Sequence, residues 1–185
     1  MAFLGIDIGC ISLKLALLGT PTDVSLFQRL AVQHPSLFHI PDAGPVVVHG
    51  SPVLVSAYRR IKGSPADATR ALLDEVFTVF PREAIEGVRV TGSGGRLIGE
   101  VLGAPYENEF KAIAKGLAAL HPEVVTVFEM GGETSKFIRL EANGGSSVGI
   151  SDYSTNGDCA AGTGSFMDQQ ASRLLYDIED VGEIV

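Results

Sequence analysis

A chain of 185 residues is long enough for one domain with a substantial core, or for one lobe and part of a second. With 45% hydrophobic and 19% charged residues, it should form a soluble globular protein and not a disordered one. Its net charge of -8, spread along the chain, argues against nucleic acid or an anionic membrane as partner.

The opening MAFLGIDIG has neither the basic nor the long apolar region of a signal peptide, and no apolar run approaches the roughly 20 residues of a membrane span. The chain therefore reads as cytoplasmic. Its two cysteines, Cys10 and Cys159, are too few for a secreted disulfide framework.

In chain order, Phe3 to Ile8 and Ile11 to Leu18 are apolar strand-like runs around Gly9 and Cys10, and Val24 to Val32 is expected as a third strand of an opening meander. Residues 34–65 hold five prolines and read as an irregular connection, with room for short pieces such as Val46 to His49. Ser64-Pro65-Ala66-Asp67 starts a helix: a capping hydroxyl, proline in the first turn and an acid three residues after the cap. Ala68, Leu72, Val76 and Phe80 form its packing stripe. Gly87 to Thr91 is the next strand, followed by the turn Gly92-Ser93-Gly94-Gly95 and a short helix ending near Gly103. A further helix follows Asn108, with Phe110, Ile113, Ala114 and Leu117 on one face, and ends before Pro122.

Val124 to Phe128 is apolar on both faces, the pattern of a strand buried in the middle of a sheet. Gly131-Gly132 turns the chain into a strand over Lys136 to Glu141. Asn143-Gly144-Gly145 is a hairpin signal leading to another strand near Ser147 to Ser151. Cys159-Ala160-Ala161-Gly162-Thr163-Gly164 opens a last helix with Met167, Ala171, Leu174 and Leu175 as its apolar stripe. The histidines His34, His39, His49 and His121 show no metal-ligand spacing.

Both strand pairs carry an acid at the end of the first strand and glycine at the turn: Gly5-Ile6-Asp7-Ile8-Gly9 and Glu129-Met130-Gly131-Gly132-Glu133. Glycine lets backbone N–H groups approach phosphate oxygens, and a nearby carboxylate can hold hydrated Mg2+ or orient an attacking water. Singly, each is an ordinary glycine turn beside an acid. The repetition suggests two related lobes facing one ligand, residues 1–121 and 122–185, the second shorter than the first.

GIDIGCISLKLALL resembles the first phosphate loop of the actin, heat-shock chaperone and sugar kinase superfamily, and VFEMGGETSKFI resembles its second. Within it the chain is similar to the BadF/BadG/BcrA/BcrD-type ATPases, activators of 2-hydroxyacyl-CoA dehydratases and benzoyl-CoA reductases. VTGSGGRLIGEVLG, EMGGETSK and NGDCAAGTGSFMDQQA carry that likeness, and Glu129 with Gly-Gly-Glu together with Asn-Gly-x-Cys resembles the large fused activases. The resemblance implies an α/β, actin-like (ribonuclease H-like) fold with one complete lobe and the first part of a second. It also implies ATP with Mg2+ as ligand, so that Asp7 (through water to Mg2+) and Glu129 serve metal and attacking water. Phosphate contacts then fall to Gly9, Cys10, Ile11, Ser12 and Lys14 in one loop, and to Gly131, Gly132, Glu133 and Lys136 in the other. Thr134 stands where relatives carry aspartate, and Cys10 where they carry serine or threonine; the Cys10 thiol is read as loop packing.

Cys159, at the start of the predicted helix, is by its surroundings either a small buried residue or a thiolate favoured by the helix dipole. The resemblance makes it one ligand of a 4Fe-4S cluster shared across a homodimer, with two cysteines from each subunit, the second of them beyond Val185. The implied function is ATP hydrolysis coupled to low-potential electron transfer into a dehydratase or reductase component, separate or fused. On that reading the 185 residues alone bind ATP poorly and turn over none. A small-molecule kinase of the same superfamily and a non-catalytic domain of a larger protein are the alternatives.

Overall fold

The computed structural model describes residues 1–41, 44–142, 148–156 and 163–181. It divides into two compact units, Met1–Pro122 and Glu123–Val185.

In the first unit, β1 (Ala2–Ile8) and β2 (Ser12–Leu18) form an antiparallel hairpin in which Asp7 stands opposite Lys14. A single 3₁₀ turn at Pro21–Asp23 then leads into α1 (Val24–Gln33). The expected third strand is therefore a helix. Its apolar residues Phe27, Leu30 and Ala31 recur at i, i+3 and i+4 and are buried, a helical stripe that an apolar-run reading misses. The start is fixed by the Asp23 carboxylate, which accepts from the Thr20 amide and from the Thr20 hydroxyl at 2.7 Å each.

Among its described residues the proline-rich segment is more regular than expected, and the expected short piece at Val46 to His49 is one of its strands. It holds β3 (Phe38–His39), β4 (Val46–Val48), β5 (Ser51–Ser56) and β6 (Arg59–Arg60). His49 and Gly50 both have positive φ, 50° and 82°, and make the tight β4–β5 turn whose twist suits a hairpin. β5 pairs with β2, so this segment widens the main sheet.

α2 (Pro65–Val79) starts as the sequence predicts, with Ser64 Oγ accepting from the Asp67 amide, and buries Leu72 and Val76. β7 (Ile85–Thr91) lies parallel to β1. α3 (Gly95–Leu102) and α4 (Glu109–Leu120, capped by Asn108) complete the unit. Among the described residues the sheet has the order β3-β5-β2-β1-β7, with β4 on β5 and β6 on β2. One face carries Leu4, Ile6, Ile8, Leu13, Leu15 and Leu17, packed with Phe27, Leu30, Leu72, Val76 and Ile98 of the helices. At about 1.5–3 kcal/mol per fully buried side chain, this core dominates the stability of the unit.

The second unit has β8 (Thr126–Met130), β9 (Ser135–Ala142), β10 (Val148–Thr155) and α5 (Gly164–Arg173). Among the described residues its strands run β10-β9-β8, all antiparallel. β8 is therefore an edge strand and not a central one, with Phe128 and Met130 73% and 76% exposed. Among the described residues, the face that carries Phe128 and Met130 stays largely uncovered. In α5 only Ala171 of the expected stripe is buried: Leu174 caps the helix, and Leu175 follows in a left-handed conformation. The Asn143-Gly144-Gly145 turn and Cys159 lie outside the described residues.

Candidate functional site

The two acidic hairpins share one construction, residue for residue. In the first, the Gly9 amide donates to Ser12 O at 2.9 Å, and Lys14 Nζ sits 3.3 Å from Asp7 Oδ2 across the strands. In the second, the Gly131 amide donates to Thr134 O at 2.9 Å, and Lys136 Nζ sits 2.9 Å from Glu129 Oε2. Both follow the spacing acid-x-Gly-x-x-hydroxyl-x-Lys. Thr134 thus stands where Ser12 stands in the first hairpin, and its hydroxyl accepts from Lys136 Nζ at 3.2 Å.

The geometry also sorts the glycines. The amides of Gly9 and Gly131 are engaged in closing their own turns. Cys10 is exposed, Ile11 is half-buried and Ser12 is buried. Glu133 is exposed, while Lys136 is only 10% exposed at its side chain and is held by Glu129.

Because β1 and β7 are parallel, their C-terminal ends lie side by side, the edge where open α/β sheets bind ligands. This brings Gly92-Ser93-Gly94 beside the first hairpin, a grouping that the sequence shows only as a glycine-rich turn after a strand. The Gly94 amide donates to Ile8 O at 2.9 Å, and Ser93 Oγ is 3.1 Å from Cys10 Sγ. Gly92 has φ +92°, and a Cβ there would fall 2.3 Å from Ile8 O and 2.7 Å from Asp7 Oδ1. Only glycine fits against the Asp7 carboxylate at this point.

Thr91, the register partner of Asp7, has a buried Oγ1 that makes no hydrogen bond. Asp7, Lys14 and Thr91 line one cavity of about 510 Å³ with Arg89, Glu107 and Lys115. At its far side Glu107 Oε2 receives both Lys115 Nζ at 2.8 Å and Arg89 Nη1 at 3.0 Å. The Lys115 hydrogen bond, assisted by Arg89, holds the Glu107 carboxyl below its ordinary pKa.

In the second unit the turn carbonyls are occupied by α5. The Gly164 amide donates to Gly131 O at 3.0 Å and the Ser165 amide to Gly132 O at 2.7 Å, and the Ser165 hydroxyl also donates to Gly132 O. The helix that follows the CAAGTG segment is thereby tied to the second hairpin. Asn156 Oδ1 accepts from the Ser135 amide at 2.7 Å and fixes the end of β10 beside the start of β9. Among the described residues no group of three histidines, cysteines or carboxylates is placed to hold a metal, and no helix is long and apolar enough to cross a membrane.

No family model matches the chain. In sequence it is similar to the 2-hydroxyisocaproyl-CoA dehydratase activator of Clostridioides difficile, 27% identical over 141 residues, or 75% of this chain and 51% of that protein. It is 30% identical to the activator of lactoyl-CoA dehydratase of Anaerotignum propionicum over 124 residues, 66% of this chain and 46% of that protein. In structure it matches the Clostridium difficile activator of the 2-hydroxyisocaproyl-CoA dehydratase, solved with bound ADPNP, with a TM-score of 0.68 at 26% identity over 100% of this chain and 56% of that one. The chain spans about half the length of the curated relatives it matches. Its fold is the actin-like ATPase fold that the resemblance implies.

Proposed function

From the premise that the chain is a homologue of the ATPases that activate 2-hydroxyacyl-CoA dehydratases, we propose that its two hairpins are the phosphate loops of such an activator. The observation that carries this reading is the repeated unit acid-x-Gly-x-x-hydroxyl-x-Lys, with a cross-strand ion pair in both copies. One such hairpin is an ordinary turn. Two with the same turn hydrogen bond and the same ion pair mark a duplicated device, and an ADPNP-bound relative supports a nucleotide as its ligand.

The residues fit a hydrated divalent cation. Mg2+ keeps most of its water and needs only one or two carboxylates besides substrate phosphates. Asp7, with its side chain 43% exposed, is one such carboxylate, and the orphaned Thr91 Oγ1 beside it is a further oxygen. When bound, the metal neutralises charge on the phosphates. Lys14 holds Asp7 in place until phosphate arrives and then offers its own charge to the anion. Glu129, oriented by Lys136, accepts a hydrogen bond from the attacking water. Tight glycine turns let the backbone approach phosphate without steric cost.

In the whole protein the hydrolysis is coupled to delivery of low-potential electrons to a dehydratase or related CoA-thioester reductase component. One copy of this sequence has two cysteines, too few for the four thiolates of a 4Fe-4S cluster. Following the resemblance, Cys159, outside the described residues, is proposed as one of the two cysteines that each subunit of a homodimer would supply to the cluster. The test is ATP hydrolysis and iron content of the whole protein purified without oxygen. Turnover in water with bound iron agrees with the proposal. ATP use that requires a small hydroxyl acceptor, in iron-free protein, sinks it in favour of a kinase.

A further inference from the structure

Thr91 ends β7 at the same edge of the sheet where Asp7 ends β1, and the two are register partners on parallel strands. Its Oγ1 is buried without a hydrogen-bond partner, the sole such side-chain atom among the described residues. A hydroxyl left this way is costly to the fold, whereas valine has nearly the same shape and carries no such penalty. The turn that follows admits only glycine: Gly92 has φ +92°, and a Cβ there would lie 2.3 Å from Ile8 O and 2.7 Å from Asp7 Oδ1. Asp7, Lys14 and Thr91 also line the same cavity. Folding alone gives no reason for a hydroxyl here, but a ligand that brings its own polar atoms does.

Resting on the nucleotide reading above, we infer that Thr91 is a positioning residue for the metal–phosphate end of the nucleotide. Its hydroxyl bonds to a phosphate oxygen or a metal-held water, beside the Asp7 carboxylate. The rigid Gly92 turn keeps the two groups in register. Thr91 neither donates nor removes a proton in the reaction; it fixes where the charged end of the nucleotide sits.

The test compares Thr91→Val and Thr91→Ser with the wild type in the whole protein, by calorimetric titration with Mg-ADP and by urea unfolding without nucleotide. Thr91→Val should bind Mg-ADP about tenfold more weakly, the size of one hydrogen bond to a charged group, with a urea midpoint equal to or above the wild type. Thr91→Ser should bind within about threefold of the wild type, since it keeps the hydroxyl. Unchanged binding by Thr91→Val overturns the inference, as does a lowered midpoint in that variant, which would make the hydroxyl structural. Thr91→Ser binding as weakly as Thr91→Val also overturns it. A wild type that takes up no Mg-ADP removes the nucleotide reading and this inference with it, whereas failure of the variants alone leaves that reading standing.

Discussion

Asp7 and Lys14 are both 43% exposed in their side chains, so water screens their attraction and the pair contributes at most about 1 kcal/mol to folding. Such a pair is weakly explained by stability and better explained by what it presents. Asp7→Asn in the whole protein should accordingly shift the urea unfolding free energy by less than about 1 kcal/mol, while Mg-ADP affinity falls clearly in a titration. A large stability loss with unchanged affinity would make Asp7 a structural residue. Gly92→Ala is the opposite case. A Cβ 2.3 Å from Ile8 O, at a φ that side chains avoid, should destabilise the first unit by about 2 kcal/mol or more, read as a lowered urea midpoint. At this scale the acids, turn glycines and lysines were legible in the sequence because each hairpin is local. Thr91 and Ser93 were not: they reach the first loop only because β7 lies parallel to β1, a pairing between residues far apart in the chain.

Among the elements, the helices with side-chain caps were readable. Ser64 and Asn108 both accept from backbone amides of the first turn, as their positions suggest. The segment Val24 to Val32 suggests a strand because it is short and apolar, and its composition masks the helical periodicity of Phe27, Leu30 and Ala31. Its start signal was present in Thr20 and Asp23. The Thr20 hydroxyl, with the Thr20 amide, donates to the Asp23 carboxylate and holds its pKa below the ordinary 3.8. The contribution of this group is therefore complete above about pH 4 and is lost as the pH falls through the lowered folded value. Asp23→Asn, which keeps an acceptor but loses the charge, should cost at most about 1 kcal/mol at pH 7, measured by urea unfolding. The difference from the wild type should shrink on acidification below pH 4, and a difference that stays constant with pH would argue against a role for the charge. Residues 34–65 look irregular because their strands are short and interrupted by proline. What makes them strands is the neighbouring β2, which no local pattern reveals.

At the scale of the whole molecule, the duplication visible in two short motifs proves to be a duplication of geometry, with the same turn hydrogen bond and the same ion pair in both units. The apolar β8 shows where sequence and structure part: the pattern predicts burial on both faces, and the described sheet gives the strand a neighbour on one edge only. An apolar edge strand tends to pair with another chain. The 185 residues by themselves should therefore self-associate in light scattering, and Phe128→Lys, on the exposed face, should shift them toward the monomer.

Steady-state ATP hydrolysis of the whole protein against its Glu129→Gln variant, with Mg-ATP titrations alongside, decides whether the acid of the second hairpin orients an attacking water. The amide keeps the shape of the side chain and loses its charge. Turnover should fall by about a hundredfold or more, the usual cost of removing one aimed group at a reacting centre, with Mg-ATP affinity within about threefold of the wild type. Equal turnover by the two proteins, or none by either, would contradict that role.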